Sequence, residues 1–184
     1  MAITSILETF DPMKIERIPY QHQFFKEVTR LGKGGPVARL FAGGMARLTG
    51  FRIFLRYKFF RPILPEPLPG EGDFVLSLTS FPKRMRYLWM VIDMLMRQET
   101  SPSAIYLCLS KGDFPDGKLP ESLDPYLERG LKVLWADQDL KPHLKYFMAF
   151  NEEASGARRN VITVDDDAFY PVDMVSRLAR LNAS

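Results

Sequence analysis

Phe74-Val-Leu-Ser-Leu-Thr-Ser-Phe-Pro82 joins a short apolar run to a turn, and the residues that follow, Leu88, Val91, Ile92 and Leu95, recur at helical spacing. The stretch reads as strand, loop, helix. The same unit repeats outward from it. Ala104-Ile-Tyr-Leu-Cys-Leu-Ser110 is a second strand after Ser101-Pro-Ser103, and the loop Lys111 to Gly117 leads to a short helix from Glu121 to Arg129 that Gly130 stops. Leu131-Lys-Val-Leu-Trp135 is a third strand, and Leu144, Phe147 and Met148 mark a helix ending before Ser155-Gly156. Val161-Ile-Thr-Val164 is a fourth strand that runs into Asp165-Asp-Asp167. Pro171 then opens a last helix with Met174, Val175 and Leu178 on one face. Strands and helices alternating at this spacing predict an α/β layer with a mostly parallel sheet and flanking helices. Such sheets bind ligands at the carboxyl ends of their strands, which singles out the loops Thr79 to Arg84 and Asp165 to Tyr170.

The 184 residues allow one domain and an appendage, and 46% hydrophobic with 26% charged residues excludes wholesale disorder and a polytopic membrane protein. One cysteine, Cys108, forms no intramolecular disulfide, and it makes a poor zinc set with His22 and His143. The net charge of +3 is unevenly spread. Residues 1–72 carry 11 Lys and Arg against 6 Asp and Glu, and residues 73–184 carry 14 against 16. The change falls at Pro62-Ile-Leu-Pro-Glu-Pro-Leu-Pro-Gly-Glu-Gly72, an extended linker. The expected domains are a basic, mainly helical N-terminal extension with its linker, 1–72, and the α/β domain, 73–184.

Between Val37 and Arg61 six basic residues and no acidic one alternate with phenylalanines and leucines. That pattern fits a helix lying on an anionic membrane, and equally a partly buried helix with a solvated basic face. No run reaches the ~18 apolar residues of a spanning helix, and no secretory leader is legible at Met1 to Phe10. The expected location is cytoplasmic, with peripheral contact at the inner face of the membrane through residues 37–61 under the first of those readings. No nucleic-acid module is legible, so nucleic acid is not an expected partner. Gly32-Lys-Gly-Gly35 lacks the strand and the ending of a phosphate loop.

Three carboxylates in a row oppose one another and call for a compensating positive charge. On an extended chain Asp165 and Asp167 point the same way and can share an ion, while Asp166 points elsewhere or caps the next helix. Hard oxygens in small number suit Mg²⁺ or Mn²⁺ completed by water and phosphate. Solvated helix-capping aspartates are the alternative. An aspartyl phosphatase or phosphotransferase would place its nucleophile after the first strand, where Ser77-Leu-Thr-Ser-Phe-Pro82 offers none.

Ser77-Leu-Thr-Ser-Phe-Pro-Lys-Arg84, Leu107-Cys-Leu-Ser-Lys-Gly-Asp-Phe-Pro115, Gly130-Leu-Lys-Val133, Asp139-Leu-Lys-Pro-His-Leu-Lys145 and Val161-Ile-Thr-Val-Asp-Asp-Asp-Ala-Phe-Tyr-Pro171 occur in that order. Together they resemble the bacterial nucleotide-sugar-dependent glycosyltransferases with the GT-A (Rossmann-like) fold and a DXD motif, which build surface polysaccharide. The resemblance covers Phe74 to Leu181. It implies a UDP- or GDP-sugar donor, a glycan or lipid-linked acceptor, and Mg²⁺ or Mn²⁺ held by Asp165 and Asp167, with Asp166 an overlapping choice in the triplet. It further implies that Thr79, Ser80, Arg84, Asp139, Lys145 and Asp165 lie near the nucleotide. Read by themselves, Thr79 and Ser80 suit a turn before Pro82, Arg84 a helix start, Asp139 a helix cap and Lys145 a solvated surface. The family also has further strands and an acceptor half, so the expectation is a domain truncated after its nucleotide-binding half. That leaves two outcomes: an active transferase, or a catalytically silent nucleotide-sugar-binding or interaction module. Asp173 is the one candidate base after Val172, and it resembles a first-turn helix residue.

Overall fold

The computed structural model describes Gly44, Leu48, Phe51, Phe54, Leu55, Phe59, residues 63–138 and residues 140–182. The chain divides into two compact units, Met1–Pro62 and Ile63–Ser184. In the first, the six described residues are helical. The rest of the expected basic extension lies outside the described residues.

The second unit is an α/β layer. Strand β1 (Phe74–Thr79) leads to helix α1 (Met85–Met96), β2 (Ala104–Ser110), a 3₁₀ turn at Glu121–Leu123 running into α2 (Asp124–Leu127), and β3 (Leu131–Ala136). A second 3₁₀ turn at Lys141–His143 opens α3 (Leu144–Ser155), and β4 (Asn160–Thr163) and α4 (Met174–Asn182) follow. The four strands are all parallel in the order β3-β2-β1-β4.

Burial explains why the two inner strands are continuous apolar runs. A parallel sheet is covered on both faces at its centre, so successive side chains of β1 and β2 are buried whichever way they point, while β3 and β4 at the edges are only partly covered. Leu76, Leu78, Ile105, Leu107, Leu109, Leu131 and Val164 pack with α1, the first 3₁₀ turn, α2 and α4 through Leu88, Ile92, Leu95, Leu123, Tyr126 and Val175. Val75, Ala104, Tyr106, Cys108 and Ala136 face the other way and meet α3 at Leu144 and Ala149. Cys108 is thus a core thiol, and burial pushes its pKa up to about 11. Trp89 and Trp135 pack partly buried against the first of these cores.

The proline-rich stretch travels with this unit from Ile63 onward. The Leu68 N–H donates to the Arg129 carbonyl at 2.8 Å, and Leu68 packs over Gly130. Gly130 has a φ of +106°, and a Cβ there would come within 2.9 Å of Leu68, so both backbone and space require glycine.

The last helix begins at Met174 rather than at Pro171. The intervening backbone is engaged elsewhere: the Pro171 carbonyl accepts from Gln98 Nε2 at 2.9 Å, and the Val172 carbonyl accepts from the Glu99 N–H at 2.8 Å. These bonds fasten the turn to the end of α1 before the helix can start.

From β1 the chain steps outward to β2 and β3 and then returns to the opposite side of β1 for β4. The strand order therefore reverses between β1 and β4. In parallel α/β sheets this reversal opens a crevice at the carboxyl ends of the two strands.

Candidate functional site

The two loops chosen from the sequence meet at that reversal. Ser80 follows β1 and donates its hydroxyl to Asp166 Oδ2 at 2.6 Å. Arg84, at the entry to α1, donates Nη1 to Asp166 Oδ1 at 2.5 Å and places Nη2 3.0 Å from Asp167 Oδ2. Lys145, in the first turn of α3, donates Nζ to Asp165 Oδ1 at 2.7 Å and to the Val164 carbonyl at 3.2 Å. Each carboxylate of the triplet thus has a cation beside it, which answers the repulsion apparent in the sequence. Among the described residues, three negative charges are paired with two positive ones, so one negative charge is left over.

Local structure sets these positions. The β4 strand ends at Thr163, and residues 166 and 167 lie in a turn. The extended geometry that would aim Asp165 and Asp167 at one point is therefore absent, and the two turn to different cations. The Asp165 N–H donates to the Tyr170 hydroxyl at 2.6 Å, which closes the loop, and burial followed by the nearby carboxylates raises the Tyr170 pKa. On the other side, the Arg84 guanidinium lies 4.9 Å from the centre of the Phe81 ring, a cation–π contact. Its bond to Asp166 raises the Arg84 pKa further, so it stays charged. Lys145 is fixed from below, where Ser77 Oγ on the central strand donates to the Lys145 carbonyl at 2.5 Å.

Burial separates the three aspartates. The Asp166 side chain is 7% exposed and both of its oxygens are engaged, whereas Asp165 and Asp167 are 66% and 57% exposed and each gives one oxygen to a cation. Asp166 is a tether between the loops. Asp165 and Asp167 face solvent.

Of the other residues read from the sequence, Thr79 turns away: its hydroxyl donates to the Cys108 carbonyl at 2.8 Å and pins β1 to β2. Asp139 lies outside the described residues. His143 pairs with the Tyr146 hydroxyl at 2.6 Å on the exposed side of α3. Asp173 is buried at the start of α4, its backbone carbonyl accepting from the Arg177 N–H at 3.0 Å and its carboxylate 3.9 Å from Arg177. Tyr170 and Phe81 were not legible as site residues, because an aromatic beside a turn reads as core filling until its partner is known.

No family model matches the chain, and no curated protein matches it. The arrangement must therefore be read from its own chemistry. Among the described residues, no three ligating side chains converge on a point where a metal could be held by protein alone. A hard cation that takes most of its ligands from phosphate and water needs only one or two carboxylates. Asp165 and Asp167, each exposed with one oxygen engaged, can each offer one such carboxylate, although they do not converge before a ligand arrives. No helix among the described residues is long and apolar enough to cross a membrane.

Proposed function

We propose that the α/β unit is the nucleotide-sugar-binding part of a metal-dependent glycosyltransferase of the GT-A type. It would move a sugar from a UDP- or GDP-linked donor to a glycan or lipid-linked acceptor in surface-polysaccharide synthesis. One observation carries this reading: the loops after β1 and β4 are joined through Asp166 at the strand-order reversal, with two cations and two exposed carboxylates around the join. A diphosphate has the charge and the size to use both kinds of group.

In this reading Asp165 and Asp167 would offer carboxylate oxygens to Mg²⁺ or Mn²⁺, which would supply Lewis-acid stabilisation of the departing nucleoside diphosphate. Arg84 offers planar paired donors to phosphate oxygens, and Lys145 offers a point charge on the other side. Ser80 and Asp166 hold the two loops at fixed separation, so the donors need no reorganisation when charge develops on the leaving group. Tyr170 keeps the Asp165 loop closed.

A second reading is a nucleotide-sugar-binding module without transferase activity. The observation favouring it is Asp173, the candidate base, which is buried at the head of α4 beside Arg177. Calorimetric titration of UDP and GDP with and without Mn²⁺ tests what both readings share, and metal-dependent binding of at least one nucleotide is the expected result. No binding under either condition would remove both. Release of free sugar from a UDP- or GDP-sugar, or its transfer to a glycan, then separates enzyme from module.

We also propose cytoplasmic placement with peripheral membrane contact through residues 37–61. Leu48, Phe51 and Phe59, helical and more than half exposed, support it. The expected result is co-sedimentation with anionic liposomes that is lost when Arg47, Arg52 and Arg56 become Glu; equal sedimentation of the variant would reject the role of those arginines.

A further inference from the structure

Arg84 and Lys145 are held alike, although one lies in the turn before α1 and the other in the first turn of α3. Each has one sheltered anchor and one exposed partner. Arg84 is anchored on the buried Asp166 and reaches the exposed Asp167, and Lys145 is anchored on the Val164 carbonyl and reaches the exposed Asp165. The Lys145 side chain is itself only 17% exposed, so its anchor holds it at the rim of the site. The exposed partners are the same two carboxylates that suit a divalent cation. A metal and the two basic side chains cannot all use those oxygens at full strength.

We infer that Arg84 and Lys145 act as resident counter-ions that suppress metal binding in the absence of phosphate, and pass from Asp167 and Asp165 to a diphosphate when one arrives. The inference rests on the reading of the site as a metal–diphosphate site, and it adds that the protein's own cations couple the two ligands. The anchors matter to it. Because Asp166 and the Val164 carbonyl stay in place, each side chain can exchange its outer partner without leaving the site. An exposed ion pair is weak, so the exchange is readily driven by a doubly charged metal together with a diphosphate.

The test is Mn²⁺ binding to the full chain, read from the electron-paramagnetic-resonance signal of free Mn²⁺, for the wild type and for Arg84→Gln and Lys145→Met. Removing a resident cation is expected to tighten binding of Mn²⁺ alone by about two- to fivefold in each variant. At saturating Mn²⁺, the affinity of the same variants for UDP and GDP is expected to fall. Side chains that merely shape the loops would give the opposite sign for the metal, so unchanged or weaker Mn²⁺ binding in both variants overturns the inference while leaving the site reading intact.

The wild type supplies a second measurement that does not depend on the variants folding. With the chelation of Mn²⁺ by free nucleotide subtracted, saturating UDP or GDP is expected to tighten Mn²⁺ binding by at least about fivefold. Independent binding of metal and nucleotide overturns the inference. Failure of the wild type to bind Mn²⁺ and both nucleotides in any combination would instead defeat the site reading itself.

Discussion

Two charged clusters sit at opposite ends of the same sheet, and α3 contributes to both. At the amino ends of the strands, Glu153 near the end of α3 pairs with Arg159 at 2.8 Å and accepts from the Tyr106 hydroxyl at 2.5 Å. Arg159 also reaches Ser103 Oγ at 3.1 Å and the Gly70 carbonyl at 3.2 Å, which ties the segment before β1 to the turn before β4. Glu153 is buried, Arg159 is largely so, and each is the other's counter-charge. At the carboxyl ends, Lys145 at the start of α3 belongs to a cluster with a surplus carboxylate and two exposed ones. Protein interiors balance charge because imbalance costs stability, so an imbalance kept on exposed side chains marks a candidate place for a ligand. The first cluster is a clasp, and the second is the site we propose.

The contrast can be broken at the clasp first. Arg159→Leu strands a buried carboxylate and is expected to lower unfolding stability by about 3–5 kcal/mol in urea denaturation. Under native conditions its Mn²⁺ and nucleotide binding is expected to match the wild type. Acid probes the same pair. Burial alone would raise the Glu153 pKa, but the Arg159 guanidinium and the Tyr106 hydroxyl pull it from 4.5 down to about 2. A lowered folded value means that the stabilisation is complete above pH 4.5 and is lost as pH falls towards 2. That decline is expected in wild-type denaturation curves and absent in Glu153→Gln.

Smaller stability effects belong to the site. Asp166→Ala leaves the Ser80 hydroxyl and Arg84 Nη1 without their buried acceptor and is expected to cost about 1–3 kcal/mol, with nucleotide binding lost as the loops separate. Asp165→Asn and Asp167→Asn are expected to change stability by less than about 1 kcal/mol each, since both pairs are exposed. Those two substitutions sharpen the comparison most, because a large stability loss from either would make the site a second clasp.

The inner strands were legible because burial on both faces writes them as nearly unbroken apolar runs, and Ala104 to Ser110 was placed to the residue. The loops bearing Ser80, Arg84 and the aspartate triplet followed from a general property of parallel sheets, with the strand order left for the structure to give. What escaped depended on partners far along the chain. Arg159, in Gly156-Ala-Arg-Arg159, reads as a solvated turn, and Glu153 as helix surface, until Tyr106 and Ser103 are brought against them. Asp93 interrupts the apolar face of α1 and is fully buried against Arg97 and Tyr126. The division of the triplet into one tether and two exposed carboxylates was hidden for the same reason, since identical side chains in a row differ only in what folds against them.

The most direct test of the site is the shift in Tm on adding Mn²⁺ with UDP or GDP, compared between the wild type and the Asp165→Asn/Asp167→Asn double variant. At ligand about 100-fold above its Kd the wild type is expected to gain about 2.7 kcal/mol and a clear rise in Tm with one nucleotide. The double variant should start at a similar Tm and gain nothing. A wild type that neither nucleotide shifts, or a double variant that shifts as far as the wild type, would contradict the claim that this charge imbalance exists to bind a metal and a diphosphate.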